Sequence, residues 1–208
     1  MNAQSFWNVI ANYNQATVYI QMILAVCMVL ACILARKEKM SWLPKVMYGV
    51  VCLFLAFVFF LVYGTEPIQF YFAFPLFLLL GIVFVFEAFR NKQEEFQKFT
   101  KLQWGLVIFV LIYPLVSIVQ GKRFPEMLLY IMPCPVVCIG IIIWQSYKSR
   151  NLMALVLLTI WGLTGVKAFF FNAYEDLILL GMGLLALVIL VKEVSFRKSG
   201  TKNVGREK

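Results

Sequence analysis

Met127-Leu128-Leu129-Tyr130-Ile131-Met132-Pro133-Cys134-Pro135-Val136-Val137-Cys138 is an apolar run that sets two prolines astride a cysteine. A proline inside a helix removes one backbone donor and clashes with the turn before it. Taken as part of a helix over Glu126–Ser146, the run should therefore break, with Pro133 and Pro135 freeing the carbonyls of Leu129 and Ile131. In hydrocarbon such carbonyls need partners from neighbouring protein or from a wet cavity. A helix entering from the outer side would place the break about 10–14 Å deep, close to mid-bilayer. Cys134 and Cys138, four residues apart, fall on one helical face.

The composition says what kind of chain surrounds this stretch. Hydrophobic residues make up 62% of the 208 and charged ones 14%, with mean hydropathy +0.86. That exceeds what a soluble globular domain carries. The residues fall into apolar runs of the roughly 20 needed to cross ~30 Å of hydrocarbon. The net charge of +9 lies in short clusters between the runs rather than on one extended face, so a lipid bilayer and no nucleic acid is the expected partner. Cys27, Cys32, Cys52, Cys134 and Cys138 all sit inside apolar runs, which fits neither a disulfide framework nor a zinc module. The chain has no histidine, and so lacks the commonest proton shuttle and metal ligand.

Taken in order, residues 1–16 form a polar segment with Phe6, Trp7, Ile10 and Tyr13 at helical spacing, expected outside the membrane as an interfacial helix. The first span, Thr17–Ala35, is followed at once by Arg36, Lys37 and Lys39, which orients it with the N-terminus outside. Further spans are expected at Val46–Tyr63, Gln69–Phe89, Leu102–Val119, Glu126–Ser146, Leu152–Phe171 and Leu177–Val191. On that frame the basic residues gather in the inner loops and the tail, and only Lys122 and Arg123 fall in outer loops. The expected architecture is all-α: a polytopic bundle with seven transmembrane helices over residues 17–196 and the C-terminus cytoplasmic. A basic tail, 197–208, is expected to be disordered and to touch anionic lipid. Acidic outer turns followed by Glu87 or Glu193 and a Phe-Arg pair give a faint echo between the first and last three spans.

Several polar groups are candidates for a site. Asn14, Gln15, Gln21, Pro133, Cys134, Glu175 and Asp176 all fall in the outer half and are read as lining candidates. Lys167 is the one cation inside a span; it either lifts its ammonium to the interface or pairs with Glu66, Glu175 or Asp176. Glu87, near Arg90, reads as an interfacial ion pair rather than a proton carrier. Cys134, Cys138 and Met132 offer soft Cu(I) ligands without a third firm donor, so small apolar packing is the preferred reading and neither metal nor cofactor is expected.

Three stretches resemble an uncharacterised family of bacterial integral membrane proteins, a domain of unknown function: Phe6-Trp7-Asn8-Val9-Ile10-Ala11-Asn12-Tyr13-Asn14-Gln15, Pro133-Cys134-Pro135 and Glu175-Asp176-Leu177. In the relatives two threonines usually follow the second motif, where this chain has Val136 and Val137, and a small uncharged residue stands at the position of Lys167. The resemblance implies a seven-helix protein of the bacterial cytoplasmic membrane and supplies no activity. The residues themselves lead to a small transporter, channel or permease-like protein with an outward-open polar centre at the Pro-Cys-Pro break. The alternative is a membrane sensor or partner-binding scaffold. An enzyme is not expected, because no nucleophile with a base and no embedded carboxylate pair can be assembled.

Overall fold

The computed structural model describes residues 3–204, without the side chains of Glu38 and of residues 197–204. Among the described residues the chain is all helix and turn, with no strand. Helix α1 (Ala3–Leu34) is followed by α2 (Leu43–Phe54), which widens into a π-helical stretch to Val62. A π turn at Gln69–Ala73 leads into α3 (Phe74–Arg90), and α4 (Lys101–Val119) and α5 (Pro133–Gln145) follow. Helix α6 (Leu152–Leu163) runs on through a tighter turn, Thr164–Lys167, into α7 (Ala168–Phe171), and α8 (Asp176–Val204) closes the chain.

Among the described residues six segments are long and apolar enough to cross a membrane: Ala3–Leu34, Leu43–Val62, Gln69–Arg90, Lys101–Val119, Leu152–Phe171 and Asp176–Phe196. They fall where hydropathy places them, with one extension. Helix α1 runs unbroken from Ala3 past residues 16 and 17, so the opening segment is the first half of a long helix rather than a separate interfacial one. Trp7, Ile10 and Tyr13 bury its aromatic face in the bundle. The expected tail begins as the last turns of α8; residues 205–208 and any lipid contact of the tail lie outside the described residues.

The fifth apolar run departs from expectation. It is not a broken span over Glu126–Ser146 but a helix of only 13 residues, Pro133–Gln145, preceded by non-helical chain. At 1.5 Å per residue α5 is about 20 Å long, too short to cross ~30 Å of hydrocarbon by itself. It has no need to meet lipid, because eleven of its residues are buried and it is packed by α2, α4, α6 and α8. A helix apolar all round belongs in such a place. Its neighbours turn large apolar residues outward instead, among them Tyr19, Met22 and Ile23 on α1 and Ile108 and Leu111 on α4. Apolar surface of that extent is what hydrocarbon would cover.

Close packing of the outer helices uses glycine pairs, as helices in lipid commonly do. Where α6 crosses α8, a Cβ added at Gly162 would stand 2.5 Å from the Cα of Gly183. Between α2 and α3, a Cβ at Gly49 would stand 2.9 Å from the carbonyl oxygen of Gly81. Gly140 leaves room on α5 for the ring of Tyr48. At the Lys45 end, loop 91–100 is tied down by a Gln97 N–H to Ser146 carbonyl bond of 2.9 Å and by Phe96 against Tyr147. Tyr147, pushed up by burial, keeps its proton and donates to the Ser41 carbonyl at 2.6 Å.

Gly162→Ala should cost about 1–3 kcal/mol, because the backbones must separate. Gly105→Ala and Gly181→Ala, which meet nothing within 4 Å, should be neutral or slightly stabilising. Thermal melts of the three purified variants check the contrast.

Candidate functional site

The prolines of the quoted stretch start α5 and do not interrupt it. Pro133 is the first helical residue, where the missing N–H is one the helix cannot use, and Pro135 falls within the same four orphan donors. Met132, preceding a proline, is extended at φ −129° and ψ 158°. The first turn closes with Val136 N–H donating to the Met132 carbonyl at 3.0 Å. The expected freeing of carbonyls inside a helix therefore does not occur at Leu129 and Ile131, which lie in the non-helical chain before α5.

That chain needs partners for its own polar backbone, since buried irregular backbone must be satisfied. Side chains of α1 and α4 supply them. Asn14 donates through Nδ2 to the carbonyls of Pro125 and Met127, each at 2.8 Å. The Tyr13 hydroxyl donates to the Ile131 carbonyl at 2.8 Å. Leu128 N–H donates to Ser117 Oγ at 3.1 Å. Gln21 Nε2 steadies the clamp by donating to Asn14 Oδ1 at 3.1 Å and to Thr17 Oγ1 at 3.0 Å. Asn14 is 0% exposed and both of its amide hydrogens are spent on the backbone.

A charged pair stands next to the clamp. Lys167 Nζ lies 3.6 Å from Asp176 Oδ2 and 3.4 Å from Cys134 Sγ, with the rings of Trp161 and Phe6 at 5.0 and 6.0 Å. Asp176 opens α8 and Cys134 is the second residue of α5, so two helix N-termini, whose dipoles favour negative charge, meet here. Glu175 turns the other way and accepts a short hydrogen bond from the Ser117 hydroxyl. Both acids are 0% exposed. Glu175 Oε2 and both oxygens of Asp176 nevertheless have no hydrogen-bond donor among the described residues. Buried oxygens without donors are uncommon enough to demand a reason.

The structure thus brings Asn14, Gln21, Pro133, Cys134, Glu175 and Asp176 into one neighbourhood. Gln15 stays out of it, exposed on the other side of α1. The carboxylate paired with Lys167 is Asp176; Glu66 sits at the α2–α3 turn, its N–H on Gln69 Oε1 at 2.9 Å. Ser117 and Tyr13 were not anticipated. The one serine in the otherwise apolar second half of α4 was the available signal for Ser117, and the neighbour of a buried Asn was the signal for Tyr13. Glu87 faces Lys45 at 3.9 Å rather than Arg90. Among the described residues no group of three His, Cys, Asp or Glu could hold a metal ion.

Among the described residues, six long apolar helices, four of them packed on a short buried one, with a polar centre inside, define a helical bundle compatible with a membrane protein. The family follows from the sequence: residues 3–201 match the family of unknown function DUF6064, and the chain belongs to it. No curated protein and no solved structure matches the chain.

Asn14→Leu takes the side-chain donor from the buried Met127 carbonyl and one of two donors from the Pro125 carbonyl, which keeps the Met127 N–H at 3.0 Å, and should destabilise the protein by about 1–3 kcal/mol. That exceeds the average well below 1 kcal/mol for interhelical side-chain bonds in membranes, because Asn14 holds two carbonyls at once. Ser117→Ala should cost about 1–3 kcal/mol, and Gln15→Ala should stay within about 0.5 kcal/mol. Melting of the purified variants measures all three.

Proposed function

We propose that the protein is a small transporter, channel or permease-like protein of the bacterial cytoplasmic membrane, with a cation-linked polar centre at the start of α5 and α8. The chain would cross the membrane seven times, N-terminus outside and C-terminus cytoplasmic, with α5 and the non-helical chain before it making the fifth crossing together. Support for the orientation comes from the basic clusters at Arg36–Lys45, Arg90–Lys101 and Lys148–Arg150, all on the same side of that frame. The tail's contact with anionic lipid remains part of the proposal.

One observation carries the reading: of two adjacent buried carboxylates only Asp176 faces a cation, the half-buried Lys167 ammonium at 3.6 Å, and Glu175 Oε2 and both Asp176 oxygens make no hydrogen bond among the described residues. Ionisable groups at membrane depth mark ion or substrate paths more often than they mark packing. Half-helix N-termini meeting beside irregular backbone are the form such sites take in transporters. A monovalent cation, the proton included, would supply the missing partner as the Lys167–Asp176 pair opens. A second reading, a sensor or partner-binding scaffold, draws on the tight closure of the centre, where Cys134 is 4% exposed.

The test is labelling of Cys134 from outside intact cells with a membrane-impermeant thiol reagent, the other four cysteines being replaced. Transport predicts labelling whose rate changes severalfold when external sodium is replaced or when Asp176→Asn breaks the pair. Complete protection of Cys134, with a control cysteine at Arg123 labelled, would transfer the reading to the scaffold.

A further inference from the structure

At the Lys45 end of the bundle an open cleft of about 410 Å3 lies between the end of α3 and the start of α6. Arg90 and Asn91 form one wall and residues 148–151 the other, with Glu87 in the floor. The acid in the floor already has its hydrogen bonds: Glu87 accepts from the amides of Asn91 and Asn151, both at 3.0 Å, and shares Lys45, at 3.9 Å, with Glu94, which holds that lysine at 2.7 Å. Arg150 is held by Glu193 at 2.9 Å. Arg90 and Lys148 are different. Their exposed side chains make no ion pair or side-chain hydrogen bond among the described residues, although both face this cleft. Two uncompensated cations across a polar hollow of ligand size attract an anion that can bridge them.

The flanks say which anion. Phe86, one turn before Arg90 on α3, and Phe89 are exposed, as is Met153 at the start of α6. The cleft therefore opens onto the apolar outer surface of the bundle, where a headgroup bound between the cations could lay its chains. We propose that this cleft binds the phosphodiester headgroup of an anionic phospholipid. Basic hollows between helices on the cytoplasmic side recognise such headgroups. The site is independent of the polar centre and of whether anything is transported; only its assignment to the inner leaflet rests on the proposed topology.

The test uses the full-length protein in phosphatidylcholine nanodiscs titrated with phosphatidylglycerol, retained lipid being counted by native mass spectrometry. Preferential retention of phosphatidylglycerol is expected, weakened about fivefold by Arg90→Gln or Lys148→Gln and about 25-fold by both. Arg90→Lys with Lys148→Arg should keep most of it, and melting temperatures report that all variants stay folded. Lys98→Gln with Lys101→Gln changes the net charge equally away from the cleft and should leave retention unchanged. Equal retention by the Arg90/Lys148 double variant, or equal loss in the Lys98/Lys101 control, would overturn the proposal. Full displacement by millimolar inorganic phosphate would overturn it too, assigning the cleft to a soluble phosphate.

Discussion

The clamp of Asn14 on the carbonyls of Pro125 and Met127 is the interaction on which the rest of the structure depends. Chain that is neither helix nor sheet leaves polar backbone exposed, and among apolar helices no water is at hand to satisfy it. Asn14, Tyr13 and Ser117 do so from two different helices. Once the chain before α5 is held, Pro133 can start a helix without wasting a donor, and α5 can be short, buried and apolar on every side. The long helices then pack around it with their apolar residues turned outward.

The same arrangement concentrates charge in an unusual place. Starting α5 and α8 at one level brings Cys134 and Asp176 together, and the tight turn Thr164–Lys167 between α6 and α7 delivers Lys167 beside both. Desolvation makes an isolated charge there costly, while removing one member of a pair costs more than the pair is worth. Glu175, bonded to Ser117, ties this charged group to the clamp, because the same serine hydroxyl holds Leu128. A shift of the chain before α5 would therefore be felt at both acids, a physical link between the irregular backbone and the site.

Much of this was legible in the sequence. Apart from the early start of α1, which begins at Ala3 rather than Thr17, the six apolar segments stand within about five residues of where hydropathy and charge put them, because crossing length and lipid exposure act on whole runs of residues. The fifth run was misread for a local reason. Met127–Met132 is apolar throughout, and an apolar run carries no periodicity that separates helix from irregular chain inside a protein. Pro-Cys-Pro gave the right place and the wrong consequence: two prolines close together fit a helix start better than a helix interior. Asn14, Gln21, Glu175 and Asp176 were found by their polarity, but sequence could not show that Asn14 spends both hydrogens on backbone. Ser117 went unnoticed because a single serine in a span is ordinary, and only the fold sets it between Glu175 and Leu128.

The backbone ahead of α5 can be read by solid-state NMR of the protein in bilayers, with labelled leucine, isoleucine, methionine and valine. The account predicts non-helical carbon shifts at Leu128, Leu129, Ile131 and Met132, turning helical by Val136. Helical shifts running without interruption from Leu128 to Val136 would contradict it, and with it the role given to Asn14.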